Sequence, residues 1–197
     1  MNEQYYDDVL LWKYIDHWPK IPDEIIEDAF RQPDDHQLLF ANALGGRVVT
    51  QGNKQMMNIL YRRWVSAPLL TEWMLNLYPF DQTSVQLCRT VEDRNRLFPH
   101  TDMIERRWAI LYVHETGGEN VETFFYKEHN QPVVRRGQRV MGNNLDQLDV
   151  IGRVVIEPHR WILLNGLVLH DVYPIIGDRK SVVAGITQES LDFLSKK

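Results

Sequence analysis

The sequence contains a single cysteine, no long apolar run and no excess of basic residues. Because Cys88 is alone, an intrachain disulfide is excluded, which is typical of proteins from a reducing compartment. No apolar run approaches the roughly 20 residues that a helix needs to cross a bilayer. The first ten residues are acidic rather than basic, which argues against a signal peptide. We therefore expect a soluble, cytoplasmic protein with no membrane partner.

The charge balance is mildly acidic, with 27 acidic and 22 basic side chains and a net charge of −5. Proteins that coat nucleic acid are usually basic on one face, so nucleic acid is not an expected partner. At 197 residues and 44% apolar composition, the chain fits one domain with a substantial core. Nothing in the sequence fixes the oligomeric state.

The first 80 residues have mostly helical patterns. A short amphipathic stretch covers residues 9–15, and Pro22 followed by two acidic residues is typical of the start of a second helix. A third helix is predicted from about residue 54, broken at Pro68, with residues 69–77 continuing as a separate turn or helix.

After residue 80 the pattern changes to short segments rich in β-formers. Turn signals such as Asn165-Gly166 separate about eight of them, which predicts a β-sandwich or barrel. The fold class is then α+β with a mainly β core: one domain over 1–197, an N-terminal helical layer over 1–80, and a core over 81–187. A closing helix is predicted over 188–194. The predicted strands are 83–91, 108–113, 121–126, 133–134, 153–156, 161–164, 167–173 and 181–186.

A His-Thr-Asp triplet at His100–Asp102 carries the first chemical signal. With seven histidines in the chain, one His-x-Asp by chance is close to an even bet. Residues i and i+2 of an extended segment point to the same side, so His100 and Asp102 can ligate one metal. His170, in an apolar strand, is the third candidate, although a lone buried histidine is more often satisfied by a backbone carbonyl. Two histidines and a carboxylate suit a non-haem Fe(II), and zinc accepts them as well.

Arg179 follows His170 by nine residues, across a predicted hairpin. This hairpin would return Arg179 and Ser181 to the interior of the core beside His170, with Lys180 pointing outward.

The order His-x-Asp, a second His, then Arg-x-Ser resembles the Fe(II)- and 2-oxoglutarate-dependent oxygenase superfamily. The strand at 109–114 and the Gly117-Gly118-Glu119 turn are most similar to its prolyl-hydroxylase-like branch, although His114 stands where that branch has asparagine. The resemblance covers 97–186, nearly half of the chain. It implies a double-stranded β-helix core, the jelly-roll or cupin-like architecture.

The resemblance also implies the roles of the site residues. His100, Asp102 and His170 would hold Fe(II), at which 2-oxoglutarate and O2 react to give succinate and CO2. Arg179 would bind the far carboxylate of 2-oxoglutarate, because arginine offers the planar bidentate recognition that lysine lacks. Ser181 or Tyr112 would donate a second hydrogen bond. The product would be a hydroxylated amino acid, peptidyl residue or small metabolite.

The substrate side has a weaker signal. If Tyr112 faces the interior, alternation along the strand puts Trp108 and Arg106 on the same face. Arg106 would then lie near the mouth and could bind an anionic group of the substrate, although a solvated surface arginine is the more common case.

Two other classes of protein share part of this pattern. AlkB-type nucleic-acid demethylases carry a second arginine six residues after the first, where this chain has Gly185. The second alternative is a non-enzymatic, cupin-like β-barrel that binds a metal such as zinc. Arg179 discriminates against it, because a simple zinc site needs no anchor for a dicarboxylate.

Overall fold

The computed structural model describes residues 2–31, 59–63, 67–78, 86–90, 99–102, 107–135 and 145–186, with the backbone alone at 59–63 and 86–90. Its strands are β1 (Glu3–Tyr6), β2 (Val9–Tyr14), β3 (Ile59–Arg63), β4 (Gln86–Thr90), β5 (Trp108–Thr116), β6 (Glu122–Glu128), β7 (Leu148–Val155), β8 (Trp161–Asn165), β9 (Leu169–Tyr173) and β10 (Arg179–Ile186). The described helices are α1 (Asp23–Arg31) and α2 (Pro68–Leu77), with a 3₁₀ turn at Leu145–Gln147.

Two antiparallel sheets form the core. The larger has the order β1-β2-β8-β5-β10-β4-β3, and the smaller has the order β7-β6-β9. The prediction of a mainly β, sandwich-like core is confirmed at this level. Neither described helix is long and apolar enough to span a membrane.

The central strand β5 is buried on both faces. Ala109, Leu111 and Val113 face the smaller sheet and pack in one cluster with Phe125 of β6. We call the space between the two sheets the interior. Side chains that alternate with these lie on the opposite face of the larger sheet.

The helices cover that opposite face. Trp108, Ile110 and Tyr112 of β5 pack there against Ile26 of α1 and Met74 of α2. Burial of this apolar face explains why α1 and α2 dock on the sheet, since packing supplies most of the stability of short helices. Helix α1 has Asp23 and Glu24 in its first turn, as predicted for its positive dipole end.

Two of the predicted N-terminal helices are wrong. Residues 9–15 contain β2, which pairs antiparallel with β8 through Trp12 and Leu164. The region from 54 contains β3, which pairs with β4. Pairing at the edges of an existing sheet outweighs a weak helical periodicity. The predicted helices after Pro22 and at 69–77 are confirmed. The predicted closing helix lies outside the described residues.

The predicted strands of the second half are confirmed with two differences. The segment at 133–134 forms only a bridge between Val134 and Val168. Strand β7 begins at Leu148, five residues before its predicted start, and pairs with β6 throughout.

Candidate metal centre and the interior of the sandwich

Two histidines and one aspartate gather at one end of the interior. The ligand atoms of His100, Asp102 and His170 all lie within 4.8 Å of one another. Their position depends on sheet pairing, because His100 and His170 exchange both backbone hydrogen bonds, at 3.0 and 2.9 Å. This backbone pairing brings the two imidazole rings together, with their centroids 4.7 Å apart. The arrangement predicted from the triplet and the distant histidine is thus present.

The ring of His170 has a defined orientation. Its Nδ1 lies 2.9 Å from the carbonyl oxygen of Val168. Because a carbonyl only accepts, Nδ1 carries the proton, and Nε2 is left with a lone pair for a metal. The residue itself is buried, and its Cα partner on β6 is Phe125.

The turn between β8 and β9 holds the aspartate. The backbone N–H of Asp102 donates to the carbonyl oxygen of Gly166 at 2.7 Å. Asn165 stabilises this turn, since its side chain donates to the carbonyl of Leu10 and accepts from the N–H of Leu167. The Asn-Gly signal therefore marks a turn that supports the His-Asp-His cluster, but the predicted hairpin is wrong, because β8 lies in the larger sheet and β9 in the smaller one. The predicted hairpin before Arg179 is wrong for the same reason, since β9 and β10 lie in different sheets.

Asp171 is next to His170 in sequence but belongs to a different environment. It is fully buried and accepts a hydrogen bond of 3.0 Å from the hydroxyl of Tyr126. Successive residues of β9 face opposite ways, so Asp171 points away from the metal cluster.

Arg179 lies at the first residue of β10, at the far end of the interior from the β8–β9 turn. It is 5% exposed, and its guanidinium donates to the carbonyl of Thr116 at 3.2 Å. Gly117, with φ of +82°, approaches this arginine closely: a β-carbon there would lie 3.0 Å from the Arg179 Cβ. The Gly117 carbonyl also accepts the N–H groups of Ile176 and Gly177, each at 2.8 Å. The Gly-Gly turn thus fixes the loop that leads into Arg179.

Two buried hydroxyls lie between the metal cluster and Arg179. Ser181 is 3% exposed and is the Cα partner of Val113, which places it on the interior face, as predicted. Thr123 of β6 is 1% exposed, and its Oγ1 is buried without a hydrogen-bond partner. Sequence reasoning missed Thr123. The sequence signal that could have identified Thr123 is its position two residues before Phe125, which puts both side chains on the same face of an alternating strand.

The placement of Tyr112 and Trp108 in the interior is wrong. Both pack on the helix-covered face, so they do not line the space that holds the metal cluster. The Tyr112 hydroxyl lies 3.4 Å from Nδ1 of His159, and burial raises the pKa of Tyr112 to about 12. Arg106, predicted on the same face, lies outside the described residues.

His114 also belongs to the helix-covered face. It sits where the pairing of β5 with β10 shifts register, beside Glu115, the partner of Lys180. Its ring stacks on Phe30 of α1 and meets His159 edge-on, with centroids 6.4 and 5.2 Å away. Nδ1 is buried without a partner, and the pKa of His114 is lowered, first by burial and then by His159. His114 is therefore part of the packing between α1 and the larger sheet.

The fold and the site together define a class of protein: a mainly β sandwich with a His-Asp-His cluster at one end of its interior. Among solved structures, the chain is similar to a 2OG-Fe(II) oxygenase family member from Burkholderia pseudomallei, with a TM-score of 0.50 and 13% identity over 82% of this chain and 76% of that one. A likeness at this identity extends to the fold alone.

Two other solved structures are similar with lower TM-scores. A prolyl hydroxylase from Trichoplax adhaerens, in complex with a hypoxia inducible factor peptide fragment, has a TM-score of 0.45 and 12% identity over 91% of this chain and 86% of that one. The carbocyclase SnoK from nogalamycin biosynthesis has a TM-score of 0.47 and 10% identity, covering 93% and 86%. No protein-family model matches the chain, and no curated protein matches its sequence.

Proposed function

We propose that this chain is an Fe(II)- and 2-oxoglutarate-dependent oxygenase. The observation that carries the proposal is that one interior holds two groups of polar side chains. The ligand atoms of His100, Asp102 and His170 lie within 4.8 Å of one another, and the buried Arg179 lies at the opposite end. A non-catalytic metal site needs only the first of these.

The ligand set fits a divalent iron. Two neutral imidazoles and one carboxylate leave coordination positions open for a cosubstrate and oxygen. His170 presents Nε2 because Val168 accepts the proton of Nδ1. Two backbone hydrogen bonds hold His100 beside His170, and these bonds do not depend on a metal.

The interior also fits a dicarboxylate. A buried guanidinium can bind a carboxylate in a bidentate manner, and Thr123 has a buried hydroxyl without a partner. An unsatisfied buried hydroxyl is costly, so a ligand that accepts its hydrogen bond is favoured there. Ser181, two residues after Arg179, is the third polar group on this path. The far carboxylate of 2-oxoglutarate would bind at Arg179, with Thr123 and Ser181 as donors.

We further infer that the sandwich is a double-stranded β-helix. In support, β4-β10-β5-β8 are neighbours in one sheet, and β7-β6-β9 in the other continue through the bridge of His170 to His100. The chain crosses between the two sheets from β5 to β6, from β7 to β8, from β8 to β9 and from β9 to β10, and such crossings are typical of a jelly roll.

The residues of this chain then have distinct tasks. With iron, 2-oxoglutarate and O2 bound, the site would supply oxidative decarboxylation to succinate and CO2, coupled to hydroxylation of an unactivated C–H bond. His100, Asp102 and His170 would hold the metal. Arg179 orients the cosubstrate, and the apolar walls at Phe125 and Val113 exclude water from it. The substrate would be an amino acid, a peptidyl residue or a small metabolite.

An anaerobic visible titration of the metal-free protein with Fe(II) and 2-oxoglutarate tests the proposal. We expect a charge-transfer band that requires both components, followed by succinate release when O2 and candidate substrates are added. Asp102→Ala should abolish both signals, whereas the exposed Asp149→Ala should retain them. A protein that shows no band and keeps zinc through purification would instead be a metal-binding β-barrel.

A further inference from the structure

A groove of about 610 Å³ lies between the β1–β2 turn and the segment that follows β6. We call it the acidic groove, and its lining residues are Asp7, Asp8, Val9, Pro132, Val133, Val134 and Arg135. Sites for small molecules have volumes of about 300–1,000 Å³, so the groove has room for a substantial part of an organic ligand.

One wall of the acidic groove is connected to the His-Asp-His cluster. Val134 forms a β-bridge with Val168, and the N–H of Arg135 donates to the carbonyl of Leu167 at 2.9 Å. The carbonyl of Val168 in turn accepts the proton of His170 Nδ1. Val134 is therefore one strand spacing of about 5 Å, and two residues or about 7 Å along the strand, from His170. About three extended residues of a ligand would span this separation.

The floor of the acidic groove is apolar. Val9, Val133 and Val134 pack against the interior cluster that contains Phe125 and Val168. All three are only partly buried, so each retains apolar surface towards the groove. Because removal of apolar surface from water is favourable, this floor suits the alkyl part of a ligand.

Two carboxylates of the acidic groove lack a cation. Asp7 and Asp8 are exposed, and neither forms an ion pair with a residue that the structure describes. Arg135 is the cation of the described lining, and it pairs with Glu128 at 2.6 Å instead. The groove therefore combines an apolar floor with an excess of negative charge.

Lys127 is a further cation near the β1–β2 turn, but it has a different partner. Its Nζ lies 5.9 Å from the centroid of the Tyr6 ring, a cation–π contact. Lys127 does not line the groove, so the charge of Asp7 and Asp8 remains available to a ligand.

We propose that the acidic groove binds the side chain of a basic residue of the substrate, an ammonium or guanidinium group on an alkyl stem. The apolar floor would contact the stem, and Asp7 and Asp8 would pair with the cation. As a statement about substrate, this rests on the proposed oxygenase function. As a statement about a site for an alkyl cation, it stands on the lining of the groove.

The test is an NMR titration of the full-length protein, without added metal, with n-butylammonium, which has the chemistry of a lysyl side chain. The reporters are the backbone N–H groups of Val9, Val134 and Arg135. We expect saturable shifts at all three, with a Kd in the millimolar range because exposed charges interact weakly. Tighter binding of n-propylguanidinium would assign an arginyl side chain, and weaker binding a lysyl one.

Two further probes separate the stem from the charge. Methylammonium lacks the stem and should bind more weakly, by up to about fourfold for each buried methylene that is removed. n-Butyrate has a similar stem and the opposite charge, and it should give no saturable shift. The absence of saturable shifts with both n-butylammonium and n-propylguanidinium, or equal binding of n-butyrate, would overturn the proposal.

Variants test the two carboxylates. Asp7→Asn and Asp8→Asn should each raise the Kd for n-butylammonium about two- to threefold, and the double variant at least about fivefold. Asparagine tolerates the positive φ of 51° at residue 7, so the turn is retained. The matched control is Glu72→Gln, an exposed carboxylate on α2, which should leave the Kd unchanged. A wild-type Kd in the double variant would contradict the proposal.

The substrate statement has its own measurement. With Fe(II), 2-oxoglutarate and O2 present, Nα-acetyl-lysine N-methylamide or its arginine counterpart should stimulate succinate release more than the norleucine compound, which has a similar stem without the charge. Equal stimulation by all three would contradict a basic substrate.

The NMR titration needs neither iron nor 2-oxoglutarate, so its failure is distinct from failure of the proposed function. An iron–2-oxoglutarate band without binding of an alkyl cation would overturn this inference and leave the oxygenase proposal in place. Binding without the band would support the site in a protein of another activity.

Discussion

His100 and His170, seventy residues apart in sequence, hold each other through two backbone hydrogen bonds of 3.0 and 2.9 Å. This pairing brings their rings to a centroid separation of 4.7 Å. Because sheet formation makes the contact, the two imidazoles are positioned before any metal binds. Under the proposed function, this preorganisation would reduce the cost of ordering the two side chains when a metal binds.

The contribution of Arg179 can be separated from that of its neighbour Lys180. Arg179→Lys keeps the charge but loses bidentate geometry, so we expect the Kd for 2-oxoglutarate to rise about tenfold or more. Lys180 pairs with Glu115 and lies 5.8 Å from the Phe30 ring, on the helix-covered face. Lys180→Gln should therefore leave this Kd unchanged. Calorimetric titration in the presence of Mn(II) measures both values. Equal effects of the two substitutions would contradict the assignment of Arg179.

Gly117 is predicted to matter because it shapes the approach to Arg179. Alanine at this position would place a β-carbon 2.8 Å from Ile175 Cγ2 and 3.0 Å from Arg179 Cβ, at a φ of +82°. We expect Gly117→Ala to lower the free energy of unfolding by about 1–2 kcal/mol and to weaken 2-oxoglutarate binding. Gly177→Ala is the matched control, since its nearest contact would be an ordinary 3.8 Å. Urea unfolding and calorimetry give both quantities. Wild-type behaviour of Gly117→Ala would refute the close approach.

The gathering of His100, Asp102 and His170 could be predicted because its signals are local. Alternation alone puts His100 and Asp102 on one side of an extended segment, and a lone histidine in an apolar strand marks His170. The turn after Asn165 was also predictable, since Asn-Gly favours tight turns between strands. These inferences depend on a few neighbouring residues and not on how distant elements pack.

Which side chains of β5 face the interior could not be predicted, because residues 108–113 are apolar on both faces of the strand. A strand buried on both sides has no polar alternation to show which side chains face which layer. Choosing Tyr112 as an interior residue therefore assigned the row of Trp108, Ile110 and Tyr112 to the wrong face of the sheet. For β2 the failure was different, since its partner β8 is about 150 residues away and sheet pairing decides its conformation.

Thr123 offers a prediction in which stability and binding change in opposite directions. In the ligand-free protein its hydroxyl is buried without a partner, so Thr123→Val should be neutral or slightly stabilising. The same substitution should raise the Kd for 2-oxoglutarate about fivefold, because it removes a donor to the carboxylate. The control is Thr71→Val in α2. Its hydroxyl donates to the Ala67 carbonyl at 3.1 Å, so about 1 kcal/mol of stability should be lost without an effect on binding.

Thermal unfolding with and without 2-oxoglutarate measures both properties of these two variants. A loss of stability in Thr123→Val with unchanged ligand affinity would show that the hydroxyl has a structural partner instead.

His114 predicts a loss of stability in acid. Burial lowers its pKa below the ordinary value of about 6.5, and the neighbouring His159 lowers it further. As the pH falls through this window, the unfolded chain binds a proton at this ring that the folded chain does not, so the free energy of unfolding decreases. Below the folded-state pKa both states are protonated, and the loss is complete. The change lies wholly on the acid side of about pH 6.5.

Replacing His114 by phenylalanine tests this dependence, since the new ring can still stack on Phe30. Urea unfolding at pH 8 and at pH 5 should show a smaller decrease in stability for His114→Phe than for the wild type. The exposed His17→Phe is the control and should retain the full decrease. If His114→Phe and the wild type lose equal stability between these pH values, the acid sensitivity arises from other groups. A smaller decrease in the variant would assign it to the packing of His114 between α1 and the sheet.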